Sequence, residues 1–139
     1  MKDVSDLSCR VCFVLAEPSP PGNIGSAARA IKTMGFTDLR VVCPKYSEYR
    51  AHPDAVALAT SSVDVLEKST SFATLSEALD DVLFAFALSG YNREFGPPME
   101  DLRTSVLRAA SLFFRLFQFN FIPFSSSQFQ RRFSMLCAV

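Results

Sequence analysis

Asn23 and Arg29 stand in the run Pro21-Gly22-Asn23-Ile24-Gly25-Ser26-Ala27-Ala28-Arg29, whose residue types and spacing could carry chemistry. Two glycines and an amide side chain fall between an apolar run that ends near Ala16 and a helical pattern that begins at Ile24. In α/β proteins ligands gather there, because free backbone N–H groups and the positive end of the helix dipole converge. With Ile24 at zero on the helical wheel, Arg29 falls at about 140° and Lys32 at about 80°, on the solvent side. Arg29 is thus expected to project from the first turns of the helix towards the crevice.

Several kinds of site fit such a turn. A dinucleotide fold wants G-x-G-x-x-G and an acid closing the second strand, but that strand ends Cys43-Pro44-Lys45. A phosphate-cradling P-loop wants Gly-Lys-Ser/Thr, which is absent. A tight strand-to-helix turn with a merely solvated Arg29 is the remaining alternative. The Cys9-Arg10-Val11-Cys12 pair has no second pair to complete a zinc site and lies in a strand pattern. Buried reduced thiols in a cytoplasmic protein, with no metal, are expected instead.

The elements that must position these residues alternate in type. Arg10–Ala16 reads as a buried parallel strand, Ile24–Met34 as an amphipathic helix stopping near Gly35, and Leu39–Cys43 as a second strand. A helix is expected around 54–59, a turn and a short strand-like stretch over 61–66, and a helix over 75–79. Thr74 is its N-cap and Glu77 the capping-box acid. Val82–Leu88 makes a third strand, and the alternation points to an α/β sheet with helices on both faces. In 139 residues there is room for one domain, and no stretch suits a membrane span or a targeting peptide. The net charge of zero hides a split. Up to Asp101, nine Lys/Arg face fourteen Asp/Glu, while residues 102–139 hold five Arg and no acid. That acidic front is a weak footprint for nucleic acid, so any RNA would be drawn mainly by other surfaces.

The run G-N-I-G-S-A-A-R-A-I-K-T-M-G-F closely resembles the first motif of the SpoU/TrmH RNA ribose methyltransferases, most of all their TrmJ-like branch. Ala57-Leu58-Ala59 through Asp64-Val65, Thr74-Leu75-Ser76-Glu77-Ala78-Leu79, and Ser89, Arg93 and Pro98-Met99 follow that branch in order, so the resemblance covers about Arg10 to Leu102. It implies a Rossmann-like parallel sheet of the SPOUT α/β-knot type, a homodimer, S-adenosylmethionine as cofactor and tRNA or rRNA as substrate. It also implies that Asn23 and Arg29 are catalytic, with Arg29 positioning the target ribose and activating its 2′-hydroxyl. Leu88, Ser89 and Gly90 match the first cofactor-binding loop, although Leu88 departs from the small or hydroxyl residue usual there.

The family's later G-x-E-x-x-G and Ser-Leu-Asn motifs are not found in this sequence. Residues 1–110 therefore read as the amino-terminal part of the methyltransferase domain, incomplete at its carboxyl end and with no closed knot. Residues 111–139, with eight Phe between Phe113 and Phe133, read as a divergent tail. That tail is a helix and an edge hairpin, or a segment packed unlike the family's last elements. A truncated enzyme of weak or no activity is the first expectation. A non-catalytic pseudoenzyme or dimerising interaction module of the same fold is the second, and an unrelated nucleotide-binding domain the third.

Overall fold

The computed structural model describes residues 11–88, 100–118 and 132–138. Strand β1 (Val11–Ala16) is followed by helix α1 (Pro21–Thr33), strand β2 (Asp38–Val42) and helix α2 (Pro53–Ala59). Then come helix α3 (Val63–Lys68), strand β3 (Thr70–Phe72), helix α4 (Leu75–Ala78) and strand β4 (Val82–Leu88). Helix α5 (Leu102–Gln118) and strand β5 (Arg132–Ala138) complete the order. The five strands form one all-parallel sheet in the order β3-β2-β1-β5-β4.

Period-2 alternation sends the side chains of β1 to two cores. Phe13 and Leu15 join Leu39 and Val41 of β2 under α1, α2 and α3, with Ile24, Ala28 and Ile31 of α1 pressed onto them. Cys12 and Val14 join Val42 and Ala78 on the opposite face, beneath α4. Each fully buried aliphatic side chain contributes about 1.5–3 kcal/mol, so the central strand carries much of the stability.

Three expectations change. The strands at 10–16, 39–43 and 82–88 are expected as parallel neighbours; they are parallel, but the third is not next to β1 or β2, because β5 pairs with β1 on one side and β4 on the other. The apolar run from Phe133 onward suits a strand flanked on both edges, and parallel crossovers need not keep sequence order in space. Helix α5 likewise runs across residue 111, where the composition changes. Residues 63–68 form a helix rather than a strand-like stretch, since consecutive Val65 and Leu66 are both buried, which a strand lying on one face would not allow. The strand β3 was hidden by its polar Thr70 and Ser71. The paths through 89–99 and 119–131, and with them the threading of the chain, lie outside the described residues.

Arg40 is buried on the α4 side of β2. Its guanidinium donates to the Ala78 carbonyl at 2.6 Å, to both carboxylate oxygens of Asp81 at 2.5 and 2.9 Å, and to Asp38 at 3.3 Å. The Asp81 hydrogen bond drives its pKa further up despite burial, so it is a permanent cation tying α4 and the start of β4 to the sheet. A cavity of about 300 Å³ opens here among Asp38, Arg40, Thr70, Phe72, Glu77, Asp80 and Asp81. It lies around this structural clamp, and the motif of α1 contributes nothing to it.

The contact between α1 and α2 leaves no room for a side chain. A Cβ at Gly25 would stand 2.0 Å from the Ala55 carbonyl oxygen, whereas one at Gly22 would meet only the Leu58 Cδ1 at 2.7 Å. Backbone cannot step aside as a leucine methyl can. Gly25→Ala is expected to destabilise by about 1–3 kcal/mol or more through overpacking. Gly22→Ala should change stability by less than about 1 kcal/mol, because alanine's helix preference offsets a small shift of Leu58. Urea denaturation of the two variants measures the ranking, and equal losses would show that the helices can slide apart.

Two surface carboxylates contribute to the acid sensitivity of the fold. The hydrogen bond from Lys32 holds Asp64 below the usual carboxylate range, and Thr104 does the same for Asp101 at the start of α5. A depressed folded pKa stabilises above the unfolded value and is lost as pH falls through the folded one. Thermal melts should therefore decline as the pH drops below about 4, with Asp64→Asn and Asp101→Asn each removing part of the decline. A decline identical in both variants and the parent would refute this assignment.

Candidate active site at the carboxyl edge of the sheet

Helix α1 starts at Pro21, three residues before its apolar periodicity does. Proline is at home in the first helical position, where its missing N–H costs nothing and its φ is already helical. Gly22 and Asn23 therefore belong to the first turn rather than to a preceding loop, and the Asn23 N–H donates to the Pro20 carbonyl at 3.1 Å. Arg29 is consequently the ninth helical residue and stands in the third turn, not the first turns as expected.

Asn23 and Arg29 are separated by about 120° around the helix and about 9 Å along it. Asn23 is half-buried and Arg29 is exposed. Among the described residues, neither side chain makes a hydrogen bond or ion pair, which leaves the amide and the guanidinium available to a ligand. Lys32 lies on the solvent side as expected, where the Ser61 carbonyl at 2.8 Å and Asp64 at 2.6 Å hold it. It serves the packing of α1 against α3, and Arg29 is the cation of this helix left uncommitted among the described residues.

Leu88 ends β4 and registers with Cys137 of β5, which registers in turn with Leu15 of β1. The ends of β1 and β4 are thus level and two strand spacings apart, about 10 Å. The chain that leaves β1 for Asn23 and Arg29 and the chain that leaves Leu88 depart from the same edge. Ser89 and Gly90 lie outside the described residues, as does Cys9. Cys12 is fully buried. Among the described residues no group of three His, Cys, Asp or Glu is placed to hold a metal, and no helix is long and apolar enough to cross a membrane.

The same edge holds features the motif did not reveal. Glu17 and Cys43, the first residues after β1 and β2, both take left-handed backbone, with φ of 51° and 45°. Each turns the chain sharply off its strand, held by Glu17 N–H to Val42 carbonyl and Cys43 N–H to Phe72 carbonyl bonds of 2.8 and 3.0 Å. Non-glycine residues in this region are uncommon and cluster at functional edges. The loop after β2 then returns to the motif, its Lys45 N–H reaching the Pro18 carbonyl at 3.4 Å. It carries Tyr46, whose ring lies 5.5 Å from that of His52. His52 caps α2 by accepting the Asp54 N–H on Nδ1 at 3.3 Å. The sequence signal for this cap is the His52-Pro53-Asp54 run, with proline in the first helical position; nothing in the sequence pairs Tyr46 with it.

Residues 10–113 match the model of the SpoU rRNA Methylase family. The chain is 35% identical over 116 residues to the uncharacterized tRNA/rRNA methyltransferase LasT of Escherichia coli, covering 76% of this chain and 50% of that protein. It is 40% identical over 94 residues to the tRNA (cytidine/uridine/adenosine-2′-O-)-methyltransferase TrmJ of Pseudomonas aeruginosa, covering 68% of this chain and 35% of that protein. It thus spans half or less of the length of these curated relatives. Among solved structures, a probable methyltransferase from Bordetella pertussis superposes with a TM-score of 0.76 at 39% identity, over 98% of this chain and 73% of its own. TrmJ from Z. mobilis shares the fold, with a TM-score of 0.67 at 24% identity over 91% of this chain and 49% of its own. With its motif on α1, its level strand ends and its parallel sheet, the chain belongs to the SpoU methylase family.

Proposed function

We propose that this chain serves 2′-O-methylation of ribose in tRNA or rRNA, with S-adenosylmethionine as methyl donor and Arg29 and Asn23 as the catalytic pair. The observation that carries this reading is the placement of Arg29. It is an exposed guanidinium, uncommitted among the described residues, on the helix that leaves the central strand's carboxyl edge. The chemistry of the edge fits such a donor: backbone at the level ends of β1 and β4 can bind an adenosine, and Leu88 offers an apolar wall. Leu88, Ser89 and Gly90 are the residues that would hold it.

When bound, S-adenosylmethionine supplies an electrophilic methyl group on a sulfonium sulfur. The Arg29 guanidinium orients a backbone phosphate and stabilises the negative charge that grows on the ribose 2′-oxygen as its proton leaves. A planar, fixed fork does this better than a mobile ammonium. Asn23, six residues earlier and on an adjacent face, would hold the other side of the nucleotide. Work on RNA in the cytoplasm as a homodimer is part of the same reading. It is supported by exposed Leu83 on β4 and by Leu102, Val106 and Leu107 on α5, apolar surface that a second subunit would cover. That same surface favours the second reading, a non-catalytic module that pairs with other copies.

Calorimetric titration with S-adenosylmethionine separates the two readings, since the module needs no cofactor. Radiolabelled methyl transfer to tRNA and rRNA is then followed for the chain alone and for the chain joined to the remaining length of the LasT sequence. Where transfer occurs, Arg29→Lys and Arg29→Ala should each lower the rate by about a hundredfold or more. Melting should shift by no more than about 0.5 kcal/mol in stability, as for other surface positions. Full activity in both variants would make Arg29 a bystander, and failure of every form to bind the cofactor would end the enzymatic reading.

A further inference from the structure

We propose that Tyr46, flanked by Lys45 and His52, is a stacking platform for an unpaired nucleobase of the RNA, next to the nucleotide held by Asn23 and Arg29. The inference rests on the proposed RNA substrate and adds a binding residue to it. Tyr46 is 44% exposed, although a phenol ring of this size gains by burial. Nothing in the fold's two hydrophobic cores includes it. It nevertheless has two fixed neighbours: the Lys45 ammonium sits 5.7 Å from the ring centroid, and the His52 ring lies 5.5 Å away at an interplanar angle of 52°.

His52 is itself fixed. Its Nδ1 accepts the Asp54 N–H at the cap of α2, and α2 cannot move away from α1 without opening the Gly25–Ala55 contact. Lys45 is tethered by its backbone to Pro18, three residues before α1 begins. Tyr46 is therefore an exposed, oriented ring on the loop whose Lys45 is tied to Pro18, three residues before the motif helix begins. An aromatic ring with an adjacent ammonium matches a nucleotide in two parts, since the base stacks on the ring and the phosphate meets the cation. A protein partner is the less favoured occupant, because the patch is a single ring pair and not a broad apolar area.

The test uses the chain as it is. Binding of a fluorescently labelled single-stranded oligoribonucleotide and of unfractionated tRNA is measured by anisotropy for the parent, Tyr46→Ala, Tyr46→Leu and Tyr46→Phe. Loss of a stacked base should weaken RNA binding by about fivefold or more in the Ala and Leu variants and leave Phe near the parent. Melting temperatures and S-adenosylmethionine binding should stay unchanged in all three. RNA binding that is the same in all four proteins would overturn the platform and leave the RNA reading standing. No RNA binding by the parent would overturn both, and a loss of cofactor binding in Tyr46→Ala would move the residue to the cofactor instead.

Discussion

The Gly25 α-carbon lies against the carbonyl of Ala55, and the placement of everything at the carboxyl edge follows from that contact. A helix pair that touches through backbone has one crossing geometry, because any side chain at the contact would push the axes apart. With α1 and α2 locked, the loop from Cys43 to His52 must run from the end of β2 past Pro18 to the start of α2. It does so through a left-handed turn at Cys43 and the Lys45–Pro18 hydrogen bond. The motif's residues thus divide their labour. Gly25 sets the distance between helices, Ile24 and Ala28 seat α1 on the sheet, and Asn23 and Arg29 are left facing outwards.

The sheet supplies the second constraint. Strand β1 is the one from which α1 departs, and it is paired on both edges, so α1 grows from the interior of the sheet. Strand β5 brings Leu88 level with the end of β1 by standing between them, and without it β4 would have no pairing partner among the described strands. The residues compositionally most unlike the rest of the chain therefore join its two halves. The side of β4 that carries Leu83, Ala85 and Ala87 stays open, which is why its burial alternates where that of β1 does not.

The parallel βαβ unit, the three main strands and the N-cap at Thr74 were legible in the sequence because each is written locally. Apolar period, bounding prolines and a capping box need no knowledge of the rest of the fold. The Thr74 hydroxyl does accept the Glu77 N–H at 3.3 Å, although the Glu77 carboxylate reaches back to Ala73 rather than to Thr74 itself. What local signals could not carry was order in space. Nothing in Val82–Leu88 says that a strand from the far end of the chain pairs with it. The helix at 63–68 was missed because Val63 and Val65 favour strands on their own, and burial beneath α1 overrides that preference. Of the site, the chemistry-bearing residue types were visible, but their faces were not. Arg29 moved from the first turns to the third once Pro21 proved to be inside the helix, and Tyr46 could be paired with His52 only after the loop had folded back.

Charge sets the terms on which such an edge can meet RNA. The fourteen acids all precede Leu102, so the half of the chain that carries the motif repels a polyanion at long range. Among the described residues Lys32 is held by Asp64, Arg40 by Asp81, and Arg50 by the Ser69 carbonyl, so these three cations are already committed within the fold. Attraction by counterion release would be weak here, because it scales with the number of phosphates neutralised. Stacking on an aromatic ring has no such requirement, since every base offers a π face whatever the surrounding charge. A surface that keeps Arg29 exposed and holds Tyr46 against Lys45 and His52 is therefore better suited to grip a single unpaired nucleotide. It is not suited to track along a duplex, and methylating one ribose asks only for the first.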